Sequence, residues 1–143
     1  MAAGDLTVFD EAKLALLNGT HDLDTHTIKV AICDNTATPA AGTATPTLSD
    51  FTQVGTAGTY VAGGTALTIS LTEAAGTVTF DATNNPSWAQ HASNDTDAYW
   101  GIIYNDTDAS DSAIAFLDLG GPVDMSAGDL TITWNASGLF TLA

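Results

Sequence analysis

Basic residues are almost missing from this chain: its 143 residues include two lysines, Lys13 and Lys29, and no arginine. Seventeen acids stand against them, for a formal charge of −15. Such a chain cannot neutralise a row of phosphates, which argues against a nucleic-acid partner. The same deficit argues against anionic membrane surfaces. Long apolar runs are missing too, so no membrane span is expected. The stretch Met1 to Phe9 carries Asp5 and no basic residue, which does not fit a secretory signal. Cysteine is reduced to Cys33, so an internal disulfide is excluded. Cys33 ends the apolar run Val30-Ala-Ile-Cys33, where a buried, inert thiol is expected rather than a reactive one.

What remains describes one acidic domain, residues 1–143, long enough to bury a real core without staples. Apolar residues make up 45% of the chain, which argues against wholesale disorder. Self-repulsion at this charge destabilises a compact state in dilute buffer. In molar salt the screening length falls to about 3 Å and the repulsion fades. The balance therefore reads as adaptation to a salty medium, with a merely acidic, highly soluble surface as the plainer alternative. Fifteen of the acids are Asp and only Glu11 and Glu73 are Glu. Asp suits turns and caps, and the abundant Thr suits strands, so an all-β chain with Asp-rich loops is expected.

The chain pattern agrees. Phe9 to Gly19 reads as a short amphipathic helix, with Phe9, Ala12, Leu14, Leu16 and Leu17 apolar and Asn18-Gly19 as its stop. Ser49 caps a possible single turn over Leu48 to Gln53. The remainder reads as strands. Thr27 to Cys33 alternates, with Ile28, Val30 and Ile32 on one face and Lys29 on the other. Ala66 to Thr72 and Thr77 to Asp81 form a hairpin, and Ala98 to Tyr104 is apolar on both faces and belongs at a sheet centre. Ala113 to Leu119 is a strand ended by a turn at Gly120-Gly-Pro122. Asp129 to Trp134 and Leu139 to Leu142 close the chain as a hairpin around Asn135-Ala-Ser-Gly138. The loop from Asp34 to Pro46 is expected to be long and exposed. Seven or so strands of this kind predict an antiparallel β-sandwich or jelly-roll-like barrel with one short N-terminal helix.

No catalytic set stands out. A Gly-x-Ser-x-Gly elbow is missing, and Ser137 sits in a turn without a nearby histidine. Asp residues are too widespread for any pair to be singled out for glycoside hydrolysis. His21 and His26 flank Asp22 and Asp24, but their spacing matches no zinc motif, so they read as solvated loop residues. His91 has no evident partner. Oxygen ligands cluster in Asn94-Asp-Thr-Asp97 and in Asn105-Asp-Thr-Asp108 with Asp111, which suggests loosely held calcium. Asn105, Asp106, Asp108 and Asp111 are the metal candidates. Both loops lack the glycine and terminal glutamate of an EF-hand, and Asp-rich turn chemistry alone explains their residues, so turns that hold salt cations loosely are the preferred reading and no cofactor is expected. The Asn-x-Ser/Thr sequons at Asn18, Asn94, Asn105 and Asn135 follow from the abundance of Thr. Among the aromatics, Trp100 and Trp134 read as core. Trp88, after the break at Asn84-Asn-Pro86, is the one expected to be exposed.

The stretch Phe9 to Asp34, with its helix ending in Asn-Gly, Asp-rich turn and Lys29-Val-Ala strand, resembles the opening of a group of small tailed-virus proteins. Gly58-Thr-Tyr-Val-Ala-Gly-Gly-Thr-Ala-Leu67, Tyr99-Trp-Gly-Ile-Ile-Tyr-Asn-Asp-Thr107, Ala113 to Gly120 and Gly128-Asp-Leu-Thr-Ile-Thr-Trp134 resemble that group as well. The resemblance runs from about residue 9 to the C-terminus. It implies a non-enzymatic virion structural protein, a head decoration (cement or turret) protein that binds the major capsid protein or other virion proteins. It also implies assembly in the host cytoplasm, a place on the virion, and homo-oligomers. Members of the group carry more Lys and Arg; their replacement here by Asp and Thr agrees with a virus of a halophile. The Asp34 to Pro46 loop would be a contact arm that orders on binding. The first alternative is a tail-associated module that grips a cell-surface glycan through aromatics around Trp88. A second is a calcium-dependent surface module.

Overall fold

A computed structural model describes residues 6–143; residues 1–5, which begin the stretch read against a secretory signal, lie outside the described residues. The chain is mainly β, with antiparallel sheets and one short helix. After β1 (Thr7–Val8) comes the helix α1 (Asp10–Leu17), which stops at Asn18 as Gly19 turns into left-handed backbone (φ 83°). Phe9 precedes it, fully buried, with its ring 5.0 Å from Phe116 and 6.2 Å from Phe51. Ala12 is buried and Leu16 packs on the core. Leu14 and Leu17, expected on the apolar face, are instead solvent-exposed. A helix this short has room for one packed stripe, and residues spaced by four take it.

The main sheet has the order β1-β8-β7-β2-β3. It contains β2 (Ile28–Cys33), β3 (Thr65–Ala66), β7 (Ala98–Asn105) and β8 (Ala113–Val123). As the sequence predicts, β7 lies at its centre. Ile28, Ile32, Ile102, Ile103, Ile114 and Leu117 are essentially inaccessible there, each burial contributing roughly 1.5–3 kcal/mol. Both faces of β2 are covered, and Lys29 escapes only by pairing with Asp106 at 2.8 Å. Gly64 lets β3 approach β2: its φ is 70°, and a Cβ there would stand 1.9 Å from the Val30 carbonyl oxygen.

Three expected turns or pairings resolve differently. Gly120-Gly-Pro122 does not end its strand. Trp100 faces Asp118 and Ala98 faces Val123, so residues 119–122 oppose Tyr99 alone in a wide bulge that absorbs the turn residues within β8. The C-terminal pair is no hairpin. β9 (Leu130–Thr131) pairs with β6 (Ser87–Trp88), whereas β10 (Phe140–Leu142) pairs with β5 (Thr77–Ala82). The turn at residues 135–138 thus carries the chain between sheets. The single-turn helix is a 3₁₀ turn, Leu48–Asp50, and Thr47, not Ser49, precedes it. The Asp50 carboxylate accepts hydrogen bonds from the Thr47 amide (2.8 Å) and hydroxyl (3.0 Å).

The Asp34 to Pro46 loop is folded against the body rather than projecting as an arm. The Ala41 carbonyl accepts the Asp10 amide at the start of α1, and the Pro46 carbonyl accepts the Ala113 amide. Pro39 and Pro46 are buried. Backbone groups at a helix start and a strand start need partners, and this loop supplies them.

Candidate binding face

β4 (Ile69–Ala74) and β5 meet at Ala75-Gly76, both with positive φ (53° and 85°), in a tight hairpin turn. With β10 they form the three-stranded sheet β10-β5-β4. Directly opposed residues share a face, so register separates two surfaces. Leu71, Phe80 and Phe140 stand in one cross-strand row, and Glu73, Val78 and Leu142 in the next on the same side. The other side carries Ser70, Thr72, Thr77, Thr79, Asp81 and Thr141. One face is therefore apolar and the other hydroxyl-rich.

The apolar face is covered at one end only. Phe80 is 2% exposed, and its ring lies 4.7 Å from that of Phe140. Toward the hairpin tip, Leu71 and Val78 are more than a third exposed, Leu142 is 64% exposed, and Leu17 of α1 reaches 84%. These residues, with Leu16 and Leu23, line a groove between the end of α1 and the sheet, which Asp22 and Asp24 border. Lys13 lines the adjoining recess beside β10, and its ammonium is held by Asp10 at 2.7 Å.

The residues singled out from sequence for metal binding are placed otherwise. Asn105 is wholly buried and belongs to a polar cluster with His21 and His26. Its side-chain nitrogen donates toward His26 Nδ1 (2.9 Å) and His21 Nδ1 (3.2 Å), while its oxygen accepts the Thr107 amide. An amide nitrogen can only donate, so this arrangement casts both Nδ1 atoms as acceptors. His21 is 4% exposed, so it is not the solvated loop residue the spacing suggests. Burial holds its pKa below the ordinary value, against an opposing pull from Asp108; the neighbouring His26 adds to the lowering. Asp106 faces Lys29 and the Tyr104 hydroxyl, Asp108 accepts from the Ser112 amide and hydroxyl, and the Asp111 amide donates to the Asp108 carbonyl. Ser112 holds the Asp108 carboxyl below the usual range. The Asp106 and Asp108 carboxylates thus serve different local partners. Among the described residues, no three His, Cys, Asp or Glu side chains gather as a metal set.

The other Asn/Asp loop is a staple. Asn94 is buried; its oxygen accepts the Thr59 amide (2.7 Å), and its nitrogen donates to the Ala89 and Met125 carbonyls (both 3.0 Å). The Asp95 carboxylate accepts the Gly55 amide. Only glycine fits at position 58, where a Cβ would stand 1.9 Å from Asn94 Oδ1. Cys33 is buried as expected, and loss of hydration, reinforced by Asp34, pushes its thiol up to about 12. His91 Nδ1 accepts the Ser93 amide in an exposed turn.

Trp88 is the main reversal among the aromatics. It is 5% exposed, its ring 6.1 Å from that of Tyr60. Pairing of β6 with β9, distant in sequence, closes it over, and the Pro86 break gave no sign of that. Trp134 is half-buried and donates to the Asn84 carbonyl; Trp100, also half-buried, donates to Asn35.

No protein-family model matches the chain, and no curated protein or solved structure matches it significantly. No helix among the described residues is long and apolar enough to cross a membrane.

Proposed function

We propose that the chain is a non-enzymatic virion structural protein, a decoration protein that docks on the head shell of a tailed virus and stabilises it. The observation that supports this reading is the half-covered apolar face of β4, β5 and β10, extended by Leu17. On a chain of charge −15, a contiguous apolar surface is the feature that favours docking. The resemblance of residues 9–34 and of the later segments to small tailed-virus proteins supplies the setting. A repeating shell multiplies modest contacts through effective concentration, and homo-oligomers on a symmetric lattice extend the same logic. The acid excess fits a virus of a salt-rich habitat, where screening lengths near about 3 Å remove self-repulsion.

Purified protein added to undecorated shells in molar salt tests the proposal by counting bound copies per shell. Saturation at a number set by shell symmetry is expected. A folded protein that does not bind would reject the decoration role. The alternative of a glycan-gripping tail module loses its leading aromatic with the burial of Trp88.

A further inference from the structure

We infer that the groove between the end of α1 and the β4-β5-β10 face receives a cationic amphipathic segment of another protein. This rests on the docking role proposed above and adds the chemistry of the partner. Two observations carry it together. The floor is apolar and open: Leu17, Leu71, Val78 and Leu142 are exposed on one contiguous surface. Its border is acidic: Asp22 and Asp24 line the groove, and Glu73 stands beside Val78 on the same face.

The Asp22 carboxylate at this border is set to stay charged. It accepts the Thr25 hydroxyl and the Asp24 and Thr25 amides, which together hold its pKa below the ordinary value. Glu73 accepts the Gly76 amide at 2.8 Å, which places it at the hairpin tip. Lys13, which lines the adjoining recess, is already paired with Asp10. A second copy of this chain would bring the same acids and the same −15 charge to the contact, setting like charge against like. A segment with apolar residues along one side and Lys or Arg along its flanks satisfies floor and border at once. The groove selects by sign as well as by hydrophobicity, because an acidic amphipathic segment meets the same floor but a repelling rim.

The test uses a short labelled Leu/Lys amphipathic peptide and its Leu/Glu counterpart, followed by fluorescence anisotropy with the full chain. The Leu/Lys peptide binds and the Leu/Glu peptide does not. A variant combining Leu71→Thr, Val78→Thr and Leu142→Thr leaves every charge in place and weakens Leu/Lys binding about tenfold or more. A rim variant, Asp24→Asn with Glu73→Gln, also weakens it and flattens its dependence on salt. Unchanged far-ultraviolet dichroism certifies that each variant is folded; the sites are exposed and threonine suits strands. Equal binding of both peptides, or full binding by the triple threonine variant, overturns the inference. Concentration-dependent sedimentation of the wild type that the triple variant abolishes also overturns it, by making a second copy the occupant. Because the peptide assay contains no shell, it stands or falls separately from shell retention.

Discussion

The two larger sheets are built from the same alternating code and come to opposite ends. In the sheet centred on β7, strands β2 and β7 and the first residues of β8, Ala113 to Ala115, are covered on both sides, and even small residues such as Ala31 and Ala115 are inaccessible. In the β10-β5-β4 sheet, the hydroxyl-rich face is exposed at Thr72 and Thr141 and half-buried at Ser70, Thr77 and Thr79, and the apolar face is roofed only near Phe80. Alternation states which residues share a side. It does not state whether another layer arrives to cover that side. The first sheet recruits β1, α1 and the Asp34 to Pro46 loop, whereas the second is met only by the end of α1 and keeps an open surface.

The contrast can be broken most forcefully at the buried centre. Ile103→Ala should cost about 2–5 kcal/mol, because the cavity has no solvent to fill it, and urea unfolding would measure it. A loss below about 1 kcal/mol would mean that this sheet is as loosely covered as the other. Asn94→Ala tests the polar staple beside that core. It leaves the Thr59 amide and the Met125 carbonyl without their partner, while the Ala89 carbonyl keeps the Thr59 hydroxyl, at a cost of about 1–3 kcal/mol. Thermal melts that match the wild type would show that water replaces the amide.

Acidification probes the boundary between the regions at His21. Its folded pKa lies below the unfolded value near 6.5, so the unfolded chain binds the extra proton first. Stability is therefore full above pH 6.5 and falls as pH drops from there toward the lowered folded value. A protonated ring would also set an N–H against the Asn105 amide donor. Melting temperature should decline as pH falls below 6.5, and His21→Gln should flatten that decline. An identical slope in the variant would assign the effect elsewhere. Further acidification acts through Asp108, whose carboxyl is lowered by its Ser112 bonds; this contribution is lost as pH falls below 3.8. The smallest effect belongs to the open face. Val78→Thr or Leu142→Thr should change stability by no more than about 0.5 kcal/mol. A loss like that of Ile103→Ala would show that this face is core after all.

Much of this arrangement is legible in single residues. The run Ala98 to Tyr104, apolar on both faces, marks a central strand because no side of it can meet water, and β7 is central. Asn18-Gly19 stops α1 through the left-handed backbone that glycine allows. The hairpin of β4 and β5 is read from period as well, but the arm expected from Ala66 to Thr72 is split: Ala66 belongs to β3 and pairs with Lys29 of β2, and the hairpin begins only at Ile69. Other features leave no local trace. Trp88 follows a Pro break and reads as exposed, yet β9 closes over it from more than forty positions away. His21 and Asn105 lie in separate polar loops, and their contact exists because β7 delivers Asn105 beside the start of β2, where it opposes Ile28. The candidate face was half visible: its apolar rows follow from alternation, but its exposure does not.

By itself the sequence determines the β character, the short helix, the acidic surface and the inert thiol, since propensity, periodicity and charge are properties of neighbouring residues. The tertiary structure alone decides that β10 joins β5 rather than β9, that the polar loops around Asn94 and Asn105 are buried staples, and that one apolar sheet face remains open. Those outcomes depend on which distant segments win the competition to cover a surface, and coverage is settled only when the whole chain has packed.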